Sequence, residues 1–158
     1  MDLENIPVTR DGFDALNGEL NRLRNKERPE VIAAIAEARG HGDLKENAEY
    51  HAARERQGLI EALIAELEDK LSRAQVVEPK GAEGTVRFGA WVVLADEETG
   101  EEKRYRIVGE LEADISRNLL SISSPMARAL LGKRTDDLVE IRVPKGTREF
   151  SIVEVEYS

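Results

Sequence analysis

The stretch Gly40-His41-Gly42-Asp43-Leu44-Lys45-Glu46-Asn47-Ala48-Glu49-Tyr50 decides how this chain folds. Alanine-rich helical sequence runs into it, and a longer helical pattern runs out of it. Two glycines just ahead of a good helix start mark one helix ending and another beginning. A short reversal between two long helices is the tip of an antiparallel hairpin. The reversal carries Asp43, Glu46 and Glu49, spaced by three. On a helix starting near Leu44, that spacing sets three carboxylates on adjacent turns of one face. Two readings of these acids stand side by side. Asp43-x-x-Glu46 has the form of a capping box, and acids in a first turn suit the helix macrodipole. Carboxylates on an exposed tip are also the hard donors that Mg²⁺ takes, often only one or two per protein.

Toward the N-terminus, Thr9 is a plausible N-cap. Phe13, Leu16, Leu20 and Leu23 then step by three and four, as in a short coiled-coil seam. Pro29 interrupts the pattern, and Val31, Ile32 and Ile35 resume it in a shifted register. A kinked, nearly continuous arm ending around Arg39 to His41 is expected. Toward the C-terminus, the second helix is expected from about Leu44 to Ala74, roughly 45 Å at the usual rise. Its apolar positions include Leu44, Ala48, Ala52, Leu59, Ile60, Leu63, Ile64, Leu67 and Leu71. The distal half is lined by alanines: Ala33, Ala34, Ala36, Ala38, Ala48, Ala52 and Ala53. Either these let the helices approach closely, or alanine is simply the best helix former.

Charge sharpens the picture of the tip. The chain has 158 residues and a net charge of −9, with 35% charged residues. Net acidity argues against non-specific nucleic-acid binding, which needs a basic surface, and is compatible with docking on a protein. Yet between Arg39 and Arg56 the charges cancel: Arg39, Lys45, Arg54 and Arg56 balance Asp43, Glu46, Glu49 and Glu55. The tip is acidic at its end and basic just behind it. Upstream, Arg22, Arg24, Lys26 and Arg28 form a second basic cluster, read as a solvated face. There is no cysteine, hence no disulfide framework and no thiol nucleophile. Met1-Asp2-Leu3-Glu4 lacks the basic and apolar regions of a signal peptide, and no run approaches a membrane span.

After Val76 the periodicity changes. Pro79, Gly81 and Gly84 read as a linker, dividing the chain into residues 1–78, a linker at 79–84, and residues 85–158. Strands are expected at Thr85-Val86, Trp91 to Ala95, Lys103 to Val108, Leu119 to Ser123, Leu138 to Val143 and Glu149 to Tyr157. Ser124-Pro125 opens a short helix, Met126 to Leu131, closed by Gly132. Phe88, Trp91, Tyr105, Phe150 and Tyr157 are expected in the core of this half, with a ligand pocket as the lesser alternative. The fold class is α+β: an N-terminal helical hairpin followed by a small antiparallel sheet domain with one short helix.

The run from Ala33 to Arg39, continuing through His41-Gly42-Asp43-Leu44-Lys45-Glu46-Asn47-Ala48-Glu49-Tyr50 to Glu55, resembles the hairpin tip of the bacterial Gre transcript-cleavage factors, above all their GreA branch. Tyr105 to Gly109, Glu112-Ala113-Asp114, Asn118-Leu119, Ser124-Pro125 and Ala127-Arg128 are similar to that family's C-terminal domain. The resemblance covers nearly the whole chain and implies an FKBP-like second domain. It implies a cytoplasmic accessory factor of bacterial RNA polymerase, not an enzyme by itself, bound as a monomer. Its hairpin would enter the secondary channel and deliver Asp43 and Glu46 to the active centre. There they would help hold a Mg²⁺ shared with the polymerase, promoting cleavage of backtracked RNA. The resemblance assigns Arg39 and Arg54 to a basic patch near the RNA 3′ end, and Ser124 and Pro125 to the polymerase-docking region. Glu49 and Tyr50 would be supports. Gly40 departs from the charged residue common in the family.

Other functions fit parts of the same sequence. A related channel-binding regulator could inhibit without stimulating cleavage, although the intact Gly42 to Asn47 run argues against it. A prolyl isomerase or metal hydrolase would rest on fold alone. His41 and His51 have no metal-ligand spacing to the acids. A coiled-coil interaction module would need no chemistry at all.

Overall fold

The computed structural model describes residues 5–43, 46–78 and 84–157. The acidic start at Met1 to Glu4, the expected helix start at Leu44, and most of the expected linker lie outside these residues. The elements in order are β1 (Ile6–Val8), α1 (Arg10–Arg22), a π turn (Leu23–Glu27), α2 (Arg28–Arg39), α3 (Ala48–Arg73) and β2 (Ala74–Val76). They are followed by β3 (Trp91–Asp96), β4 (Glu102–Val108), a 3₁₀ turn (Ile115–Arg117), β5 (Leu119–Ser121), α4 (Pro125–Leu130), β6 (Leu138–Val143) and β7 (Gly146–Glu156). Two compact units result: Asp14–Arg73, and Met1–Phe13 together with Ala74–Ser158. The strand before the helices therefore groups with the sheet, a partition that a linear reading of the chain at 1–78 and 85–158 does not contain.

The helical unit is built on Leu20, Leu23, Val31, Ile60, Ile64 and Leu67, all buried. Between Leu23 and Val31 the chain makes one π turn, in which the Arg28 N–H donates to the Leu23 carbonyl. Pro29 follows at the start of α2. It has no N–H to offer, and its ring would crowd a preceding carbonyl in a regular α-helix; a widened turn gives it room. The shifted register of Val31 and Ile35 is the result. The alanines divide. Ala38 is buried and Ala53 half-buried, but Ala33, Ala34, Ala36, Ala48 and Ala52 are exposed. At those five positions helix propensity, not close packing, accounts for alanine. Leu59 and Leu63, expected on the apolar face, are exposed too.

The basic cluster on the first arm is matched by acids. Arg28 makes two bonds to Glu61, at 2.6 and 2.8 Å. Arg24 reaches Glu68 at 3.2 Å, and Arg22 reaches Glu19 and Glu27. Exposed pairs of this kind add little stability each, but they leave this face neutralised and solvated.

In the other unit, β5-β4-β3-β7-β6 form one sheet. Its inner face and α4 bury Val86, Val92, Leu94, Ile107, Leu120, Leu130, Ile141 and Ile152. The expected antiparallel pairing is present in two hairpins, β3 with β4 and β6 with β7, and β3 also pairs antiparallel with β7. One pairing differs: β5 runs parallel to β4. The segment after β4 carries the chain back through the 3₁₀ turn, and Asn118, at φ 59°, turns it into β5 in the same direction as β4. The five aromatics are half-buried rather than enclosed. Trp91 lies under the guanidinium of Arg104, 4.0 Å from the ring centroid.

A small parallel ladder joins β1 to β2, with Ile6 opposite Ala74 and Val8 opposite Val76. Thr9 follows and caps α1, accepting from the Gly12 N–H at 3.0 Å. In a capping box the third helical residue would supply a carboxylate to the N-cap amide. Here that residue is Gly12, and the carboxylate comes from Glu112, which accepts from Thr9 N at 2.7 Å and from its hydroxyl at 2.5 Å. A Cβ on Gly12 would stand 2.0 Å from Glu112 Oε1. Beside this clamp the buried Arg106 donates to Asp11 at 2.9 Å.

Candidate functional site at the hairpin tip

The tip is closed by Asn47, and this corrects the reading of Asp43 as a helix cap. Helix α3 begins at Ala48. Its N-terminal Tyr50 N–H donates to Asn47 Oδ1 at 3.0 Å. Asp43 and Glu46 lie ahead of the helix in a turn, in which the Glu46 N–H donates to the Asp43 carbonyl at 3.3 Å. Only Glu49 is on the helix, so the three acids do not share a helical face. Asparagine caps as well as aspartate, and it stood in the sequence at the right place. In the sequence, the capping-box form of Asp43-x-x-Glu46 hides that signal.

The acids are nevertheless brought together. Asp43, Glu46 and Glu49 line one shallow depression with His41, Asn47 and Ala48. Asp43 and Glu46 are exposed. Glu49 is engaged by His41, whose Nδ1 lies 2.9 Å from Glu49 Oε2. Gly42, at φ 118°, takes a backbone conformation that side chains other than glycine's rarely adopt. Among the described residues no group of three or more acids or histidines is arranged to hold a metal ion. The donors present are hard carboxylate oxygens, which suit Mg²⁺, but they make up part of a coordination shell and not a whole one.

Behind the acids, Arg39 and Arg54 come from different helices and line one hollow with Ile32, Ile35, Ala36 and Gln57. Tyr50 links them. The Arg39 guanidinium sits 5.9 Å from its ring centroid, and Arg54 Nη1 is 3.4 Å from its hydroxyl. Arg39, then the charge of Arg54, hold the Tyr50 phenol below its ordinary value of 10.0. Two cations on an exposed surface with few acids at hand can take a phosphate.

In the sheet unit, Ser124 caps α4, accepting from the Ala127 N–H at 3.2 Å, with Pro125 at the first helical position. The same two residues line a hollow of about 430 Å³ with Tyr105, Ile115, Met126 and Phe150. Ile115 is 70% exposed at this site. The hollow explains why Tyr105 and Phe150 are not enclosed. Periodicity could not reveal it, because its walls come from β4, β7 and the segment around α4.

Residues 6–76 match the family described as transcription elongation factor, N-terminal, and residues 80–157 match transcription elongation factor, GreA/GreB, C-term. The transcription elongation factor GreA of Jannaschia sp. (strain CCS1) is 57% identical over 155 residues, covering 98% of this chain and 99% of that protein. That of Phenylobacterium zucineum (strain HLK1) is 56% identical, with 98% and 99% covered. A solved structure of the transcription factor Gfh1 is 33% identical over 99% of each chain, with a TM-score of 0.47. No helix among the described residues is long and apolar enough to cross a membrane. Matched along nearly its whole length by both family halves and by full-length relatives, this chain belongs to the GreA/GreB family of transcription elongation factors.

Proposed function

We propose that this protein enters the secondary channel of bacterial RNA polymerase as a monomer and stimulates cleavage of backtracked nascent RNA in the cytoplasm. A transcription elongation factor works with RNA polymerase; the finer reading rests on the tip. The observation that carries it is that Asp43 and Glu46 line one depression on a turn whose neighbouring helix is capped by another residue, Asn47. Helix α3 takes its cap from Asn47, and both acids are exposed at the tip.

Their task is to complete a Mg²⁺ site shared with the polymerase active centre. When bound there, the ion activates water and stabilises the displaced oxygen. Asp43 and Glu46 supply charged oxygens to it, and the polymerase and RNA supply the rest. Arg39 and Arg54 hold an RNA phosphate near the 3′ end. Ser124 and Pro125, at the rim of the apolar hollow in the sheet unit, dock on the polymerase. The intact tip and full-length relatives named as GreA elongation factors favour this reading over an inhibitory regulator.

The test is Mg²⁺-dependent shortening of RNA in stalled, backtracked polymerase complexes with and without this protein, and of free RNA with the protein alone. Shortening in the complexes is expected to speed up when the protein is added, and none is expected with the protein alone. Hydrolysis by the purified protein alone would overturn the shared site, and unchanged RNA in the complexes would overturn the function.

A further inference from the structure

Asn47 does two things at once. Its Oδ1 accepts from the Tyr50 N–H and so begins α3; its Nδ2 donates across the tip to the Ala38 carbonyl, in the last turn of α2, at 2.5 Å. The Ala38 carbonyl also accepts from the His41 N–H at 3.0 Å. A second tie crosses the same gap, from His41 to Glu49. The neutral amide is suited to the first place, since its oxygen accepts for the helix while its separate NH₂ group, on a side chain longer than serine's, donates to a carbonyl. Asp43 and Glu46 both belong to the segment that these ties enclose.

We infer that Asn47 is the positioning residue of the tip: by joining the end of α2 to the start of α3 it sets the placement of Asp43 and Glu46 for the shared reaction. The inference rests on the proposed function, because the acids matter only if they act. The physical motive is steep. A misplacement of about 1 Å in a reacting constellation can cost on the order of 100-fold in rate. The helices by themselves set only the positions of the loop ends, and a side chain bonded to both sides removes their relative slack.

Asn47→Ser tests this in the full-length protein. Serine caps α3 about as well as asparagine and adds no charge, but it carries no amide to reach Ala38. The readouts are helicity and melting temperature, competition with wild type for polymerase, and the dependence of RNA cleavage rate on factor concentration. The expected result is a maximal rate lowered by at least about fivefold, with the half-saturating concentration within about twofold of wild type. Helicity, melting and competition should stay as they are. A maximal rate equal to wild type overturns the inference, and so does a loss that merely tracks lost helicity or binding. Asp43→Asn, run in parallel, separates the two ideas. If it is inactive while Asn47→Ser is fully active, only the positioning role fails; if both are fully active, the proposed function fails with it.

Discussion

Glu112 accepts from both the amide and the hydroxyl of Thr9, a residue 103 positions away in the chain. It also accepts from the Gly109 N–H at 3.1 Å. One carboxylate thus completes the cap of α1 and fastens β1 to the sheet unit. Glu112→Gln keeps the size but turns an amide toward donors. Hydrogen bonds to charged groups contribute about 1.5–3 kcal/mol each, so a loss of about 2 kcal/mol is expected. Calorimetric melting of the full chain measures it. Gly109→Ala should be harsher, because its Cβ would meet the Pro7 carbonyl oxygen at 1.8 Å.

The acids of the tip can now be tested without the complication of a cap. Asp43→Asn and Glu46→Gln should each leave melting temperature and polymerase competition near wild type, since Asn47 holds the start of α3. Stimulated cleavage should fall at least about tenfold, which corresponds to about 1.4 kcal/mol of barrier. Full activity of both variants in backtracked complexes would show that the turn is not catalytic.

Arg39→Ala combined with Arg54→Ala should weaken cleavage while leaving competition for polymerase intact. Both line the hollow behind the acids and both meet Tyr50. Crosslinking of the RNA 3′ end to the hairpin should drop in step. Unchanged crosslinking together with unchanged activity would make the pair no more than a solvated surface.

Alkaline titration should separate the tyrosines. The arginines at Tyr50 depress its phenol, whereas burial raises that of Tyr157, whose hydroxyl donates to the Thr85 carbonyl. Tyr50 should therefore ionise before Tyr157, and Tyr50→Phe should remove the earlier phase of the phenolate absorbance. The signs for stability are opposite. The Tyr50 contribution is present above its unfolded-state pKa and is lost as pH falls through its depressed folded value. The Tyr157 contribution is present below its unfolded-state pKa and is lost as pH rises through its raised one. A single unresolved titration would contradict both environments.

Local signals in the sequence carried most of the fold. The strand from Leu138 to Val143 alternates buried and exposed residues and was legible to the residue. Ser124-Pro125 announced α4 through cap chemistry. What stayed hidden depends on partners distant in the chain. No pattern around Gly12 says that Glu112 fills the space of its missing side chain, and none around Leu119 says that β5 pairs parallel. The acids, the arginines and the Ser124-Pro125 pair were visible as residue types. Their grouping became visible through the resemblance, and Asn47 was masked by a neighbouring pattern with the same grammar.

The parallel ladder of β1 and β2 has a consequence for how the protein is made. Synthesis delivers Ile6 to Val8 early, then the whole of α1, α2 and α3, and only afterwards the strand that pairs with them. Closing so long a loop is entropically costly until something shortens it. A folded helical hairpin does so, returning the chain close to where it left. Folding on the ribosome should therefore run from the inside out, with the hairpin formed first and the earliest-made strand among the last to settle.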